Sequence, residues 1–251
     1  MSMDEQSPHL TIAGEPSESD VSVEKLDHDI TTGSPLAPGN LFALYLRPSR
    51  FFSNHSWLYR RYEIILVAWL AGVISIQERI DVSLSRFGMT ENPSMMVTGA
   101  DVSGAWAAYF GFSLTAGMVK GVLLWFLAGW WYHARLELSG AKDVPIEHAR
   151  AAYQYQNLVQ TLPSLVFVIA ISFQYSSYVA YWQEGSEVWA TFLLLFSYWS
   201  CWVSYYASRT FSVSKWKAGF WFLLLPIIFY SYLFGFISIP QFSIGPFRFA
   251  G

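Results

Sequence analysis

Residues 105–132 read AWAAYFGFSLTAGMVKGVLLWFLAGWWY, with a single charge, Lys120. Lipid offers no water to backbone N–H and C=O groups, so a stretch this long and apolar must satisfy them internally, as a helix does. Four further apolar, aromatic-rich stretches accompany it: Tyr62–Gln77 ahead, then Leu158–Trp182, Val188–Tyr206 and Gly219–Ile237. The pattern predicts an all-α integral membrane protein with five transmembrane helices. An odd number of spans puts the two termini on opposite sides of the membrane.

Composition agrees. The 251 residues are 53% hydrophobic and 13% charged, whereas soluble domains carry about 25% charged residues. The net charge of −3 is unevenly distributed: residues 1–39 hold eight acids against Lys25, so the remaining chain is net basic. No basic strip with interleaved aromatics lies outside the membrane flanks, which argues against nucleic acid as a partner. Cys201, the single cysteine, sits in an apolar stretch and reads as a packing residue, so neither an intrachain disulfide nor a cysteine metal cluster is available. The N-terminus is acidic and polar, without the basic and apolar regions of a secretory signal, and an internal span is expected to direct insertion.

Residues 1–39 are rich in Ser, Pro, Gly, Asp and Glu and read as a disordered acidic cytoplasmic tail. Residues 40–61 mix Leu41, Leu44, Phe51, Phe52 and Trp57 with Arg47, Arg50, Arg60 and Arg61, the composition of an interfacial pre-membrane segment on an anionic leaflet. Pro48 divides it, with Ser49 expected to open the second piece. The membrane domain covers 62–239, and 240–251 form a short tail too rich in Pro and Gly to span. Within the domain, Glu78–Gly104 reads as an extramembrane loop entered by a helical extension. Asp143 reads as the cap of a helix running into the third span. Pro163 and Pro226 are expected to kink the third and fifth spans.

Lys and Arg set the orientation. Arg47, Arg50, Arg60, Arg61, Arg135, Lys142, Arg150, Arg209, Lys215 and Lys217 fall on one side; Arg79, Arg86 and Arg248 fall on the other. The N-terminus is therefore predicted in the cytoplasm and the C-terminus across the membrane.

Candidate functional residues are few. Lys120 is the one basic residue deep in an apolar run, where an ionisable group suggests a pathway or a buried pair, while its long stem also suits a snorkelling or packing role. Gly117 and Gly121 flank it in a GxxxG spacing, and Ser200 and Ser204 form a second small-xxx-small pair; both suit helix packing. His133 and Arg135, with His148 and Arg150, form two His-x-Arg pairs on one cytoplasmic loop, suited to polar, lipid-headgroup or partner contacts and to anchoring. No HExxH and no cysteine partner supports zinc. No GxSxG or Ser-Lys spacing supports catalysis, and no cofactor is implied.

The block Tyr45-Leu46-Arg47-Pro48-Ser49-Arg50-Phe51-Phe52, the Trp-rich end of the second span, and the kinks at Pro163 and Pro226 resemble the bacterial branch of the Yip1 domain family, over about Leu41–Ile239. The Asp-Leu-Tyr-Gly-Pro stretch of its eukaryotic members does not occur here. The resemblance implies a non-enzymatic inner-membrane protein, a scaffold or accessory subunit that acts through membrane lipids and a protein partner or homo-oligomer. The alternative is a small transporter or channel with a pathway near Lys120, Pro163 and Pro226. Whether Lys120 faces a water-filled cavity or a protein interface discriminates between the two.

Overall fold

The computed structural model describes residues 34–53, 61–87, 104–184 and 188–233, whose regular structure is helical, with no strand among them. The predicted tail up to Gly33, the loop 88–103 and the C-terminal tail lie outside the described residues. The fold reaches back into the last residues assigned to the tail, since Asn40 Nδ2 donates to Ser34 O at 2.8 Å and Leu36 packs on the core.

Two short helices come first, α1 (Pro38–Leu46) and α2 (Pro48–Ser53). Pro48 itself, rather than Ser49, opens α2, because the first helical position needs no N–H. The residue before it, Arg47, is driven out of helical geometry (φ −136°, ψ 59°), as the ring of a following proline demands. The segment expected at an interface sends part of its apolar side chains inward, while Phe42 and Leu46 stay exposed. Leu44, Phe51 and Phe52 are buried in the main core, and α2 packs on the helix that begins at Val188.

The long helices are α3 (Arg61–Phe87), α4 (Trp106–Leu138) and α5 (Ile146–Ser172). A short α6 (Tyr178–Glu184) and α7 (Val188–Arg209) follow. The last, α8, runs through Lys215–Ala218, Gly219–Leu224 and Leu225–Leu233. Leu124–Ala128 of α4 and Gly219–Leu224 of α8 are wound as π-helix. Pro145 precedes α5, and Asp143 is not its cap; it takes a left-handed backbone (φ 55°) in the turn before.

Two helices are long and apolar enough to cross a membrane, α4 and α5. Five such helices are not found among the described residues. In α3 the charges Glu63, Glu78, Arg79 and Asp81 interrupt the apolar run. In α7, Ser197, Tyr198, Ser200, Ser204, Tyr205 and Tyr206 dilute it. Described residues of α8 end at Leu233, short of the predicted Ile237. Boundaries move as well. The expected helical extension of the first stretch is present, as α3 runs on from Gln77 to Phe87, whereas the third stretch breaks after Ser172 and α6 opens at Tyr178 behind a cap bond from Ala180 N–H to Ser177 Oγ at 3.1 Å.

α5 sits at the centre, packed on α3, α4 and α7, while α8 packs chiefly on α7. Only 17% of the most apolar stretch of α4 is buried, against 44% of that of α5. Met118, Val119, Val122 and Leu127 point outward from α4, as do Ile65 from α3, Val166 from α5, and Phe220 and Phe229 from α8. Two clusters close the ends of the bundle. One gathers Leu44, Phe52, Tyr132, Tyr155, Val203 and Phe222; the other gathers Ile80, Leu84, Tyr109, Ile171 and Tyr178.

Candidate functional site

The small residues singled out in the sequence are spent inside the chain. A Cβ on Gly72 would lie 2.1 Å from Gly117 O, one on Gly117 would lie 2.8 Å from Val73 Cα, and one on Gly121 would lie 2.5 Å from Ala68 O. The α3 and α4 backbones therefore touch along Gly72, Gly117 and Gly121. Ser200 and Ser204 are buried on α7. Ser200 Oγ donates to Ser197 O at 2.8 Å, and Tyr132 Oη donates to Ser204 O at 3.4 Å. Cys201 is buried beside them, its thiol directed at Ser197 O.

Both carbonyls that the prolines leave without a helical donor accept from side chains of other helices. Pro163 has no N–H for Val159 O, one turn earlier, and the hydroxyl of Tyr45 in α1 donates there at 3.1 Å and to Leu158 O at 3.1 Å. Trp199 Nε1 of α7 in turn donates to Tyr45 O at 2.9 Å. In α8 the π-wound turn sends Leu225 N–H back to Phe220 O. The next residue, Pro226, carries no N–H, so Trp221 O has no helical donor. Arg135 Nη1 of α4 donates to Trp221 O at 3.3 Å. The Arg135 guanidinium lies 5.2 Å from the Tyr132 ring centre and 4.8 Å from that of Phe222.

The two His-x-Arg pairs do not form one site. His133 Nε2 lies 2.8 Å from Val144 O, and its Nδ1 lies 3.7 Å from Glu137, which ties the end of α4 to the loop before α5. Arg135 turns into the bundle, Arg150 lies over Phe126 at 4.9 Å, and His148 sits half-buried in the first turn of α5. Among the described residues no three His, Cys, Asp or Glu side chains are grouped to hold a metal.

The charge that sequence reasoning misses as a site is Glu78. It reads as the start of a loop because it follows the last apolar residues of the first stretch. In the fold it lies on α3 level with Gln160 of α5, whose Nε2 donates to Glu78 Oε1 at 3.1 Å. Lys120 and Arg79 lie within electrostatic reach of its carboxylate, as do Tyr153 of α5 and Tyr230 of α8. Lys120 is half-buried and makes neither a hydrogen bond nor an ion pair with any described residue. The Glu78 side chain is exposed.

No protein-family model matches the chain, and no curated protein or solved structure matches it. Its functional reading rests on this geometry.

One turn further along α3, Asp81 accepts a hydrogen bond from Tyr178 of α6. Tyr109 stacks on Tyr178 with ring centres 4.4 Å apart, and Trp106 Nε1 donates to Tyr175 O at 2.7 Å. These rings lie directly on one another, so this cluster closes the end of the bundle and leaves no room for a guest.

Proposed function

We propose that this chain is a non-enzymatic multi-pass membrane protein, as its resemblance to the Yip1 domain family implies. It sits in a bacterial inner membrane with its N-terminus in the cytoplasm and its C-terminus on the opposite side. Outward apolar side chains on α3, α4, α5 and α8 support membrane residence, because an apolar surface spread over so many helices suits lipid better than water. The capped carbonyls of Val159 and Trp221 support it too, since a free carbonyl costs more where no water reaches it.

Within that class, the protein acts as a small transporter or channel. The observation that carries this reading is Glu78 of α3, bonded to Gln160 of α5 and within electrostatic reach of Arg79 and of Lys120 on α4. Charged groups in such a position mark solute or ion pathways. Flux of small solutes and ions into proteoliposomes measures this directly. Permeability above that of protein-free vesicles, lowered by Glu78→Gln, is expected; permeability equal to empty vesicles would end the reading.

The scaffold or accessory reading has its own supporting observation. Trp216 is 91% exposed between Lys215 and Lys217, also exposed, and Phe42 and Leu46 project from α1. Such a surface suits anionic headgroups or a partner at the cytoplasmic face. A partner recovered from native membranes with the full chain, and lost on deleting residues 1–33, would favour it.

A further inference from the structure

We infer that residues 34–53 dip into the bilayer, and that Phe42 and Leu46 of α1 rest against lipid acyl chains. The inference rests on membrane residence alone. It holds whether the protein carries a solute or gathers a partner.

Two helices give the depth of α1 independently. Tyr45 Oη donates to Leu158 O and Val159 O of α5, and Trp199 Nε1 of α7 donates to Tyr45 O. The headgroup level on α5 lies near Arg150. Gly129 of α4 packs there, an added Cβ falling 2.5 Å from Arg150 Cγ, and the exposed Trp130 and Trp131 follow it, as aromatic residues do at that level. At the rise of a helix, Leu158 lies roughly 12 Å along α5 beyond Arg150, and Trp199 lies roughly 15 Å along α7 from Arg209. The hydrocarbon core is about 30 Å thick, so both distances carry Tyr45 well into the acyl region of one leaflet. The rings of Phe51 and Tyr155 meet 5.7 Å apart, about one turn back along α5, so α2 turns again toward the surface.

The chemistry of the segment suits that depth. Where α1 gives way to α2, Arg47 N–H donates to Ala43 O at 2.7 Å and Arg47 O accepts from Arg50 N–H at 3.0 Å. With Tyr45 O taken by Trp199, the break leaves these groups paired, as backbone away from water requires. Phe42 and Leu46 are 67% and 58% exposed, one turn apart on the same face of α1. Leu195, Trp199 and Trp202 of α7 are exposed beside Tyr45, so the apolar surface of α1 continues that of α7. The exposed polar groups, Arg47, Ser49 and Ser53, belong to the returning side. Ser53 Oγ donates to Arg50 O at 3.0 Å, and the long stem of Arg47 lets its guanidinium reach the phosphates. Trp216 lies elsewhere, beside Lys217, whose Nζ is 3.6 Å from an added Cβ on Gly140 past the end of α4. It therefore meets headgroups, while Phe42 and Leu46 meet chains.

The test is collision accessibility of spin labels on Phe42→Cys, Leu46→Cys, Val119→Cys and Trp216→Cys, each in the full-length protein. The vesicles contain phosphatidylcholine and phosphatidylglycerol. Native Cys201 is buried, and the unsubstituted protein controls for its labelling. All four replaced side chains are exposed, so the substitutions leave the core intact. Oxygen concentrates among acyl chains, whereas a nickel chelate stays in water. The oxygen-to-nickel ratio at positions 42 and 46 should approach that at Val119 of α4 and exceed that at Trp216 severalfold. A ratio at either position equal to that at Trp216, with Val119 still lipid-like, overturns the inference and spares membrane residence. Low collision with both reagents at 42 and 46 marks cover by a second copy or another protein, and overturns it too. A water-like Val119 ends membrane residence and the inference together.

Discussion

The hydroxyl of Tyr45 lies 3.1 Å from Val159 O, the carbonyl that Pro163 deprives of its helical donor. Two features far apart in the chain, an aromatic residue ahead of the first long helix and a proline within the third, form one device. Pro163 is tolerated within α5 because α1 supplies the missing donor. Trp199 then fastens Tyr45 to α7 through its backbone carbonyl, so one residue links three helices.

Tyr45→Phe removes the donor and keeps the ring. It should destabilise the protein by about 1–3 kcal/mol, the cost of a buried carbonyl left unpaired. In a Pro163→Ala background, the backbone N–H gained at that position can serve Val159 O, and the same substitution should cost much less. Melting temperatures of the four proteins in one detergent complete this cycle; equal costs in both backgrounds would exclude the capping role.

The α3–α4 contact gives opposite signs for the same chemical change at two glycines of one helix. Gly117→Ala places a methyl group 2.8 Å from Val73 Cα and should cost about 1–3 kcal/mol as the helices are pushed apart. Gly111 faces open space, with nothing within 4 Å of an added Cβ, so Gly111→Ala should stabilise α4 by about 0.5–1 kcal/mol. Chemical denaturation in mixed micelles distinguishes the two, and a destabilising Gly111→Ala would contradict the packing described.

Arg135→Met leaves Trp221 O without its donor and removes the guanidinium between the Tyr132 and Phe222 rings. Amide hydrogen exchange across 219–225 should accelerate more than across the centre of α5. Adding Pro226→Ala, which restores an N–H at that turn, should recover part of the protection. Unchanged exchange in Arg135→Met would mean that the π-wound turn of α8 is held by other contacts.

Orientation can be read by cysteine labelling, because native Cys201 is buried and should serve as a silent background toward membrane-impermeant maleimides. Lys215→Cys should label from the cytoplasmic side and Glu184→Cys from the opposite side. Labelling of both from the same side would refute the predicted topology.

Much of the architecture was legible in the residues alone. Helix is a local consequence of long apolar runs, so Ala105–Tyr132 and the stretches around it predicted helices that the fold contains. Pro48 announced a break, and Pro163 and Pro226 announced backbone groups needing other donors. The GxxxG spacing of Gly117 and Gly121 announced a close approach, though not whether the neighbour was another chain or α3. The apparent interfacial segment hid core residues, because Leu44, Phe51 and Phe52 look alike whether they face lipid or protein.

What the sequence by itself determined is which stretches are apolar enough to be helical, because hydropathy and proline geometry act within a few residues. Only the tertiary structure decided the register between helices, which carried Glu78 out of a presumed loop to Gln160 on α5 and turned Arg135 inward to α8. Those placements depend on contacts between residues scores of positions apart. No local pattern encodes them, since the free energy that selects them arises only when the helices pack.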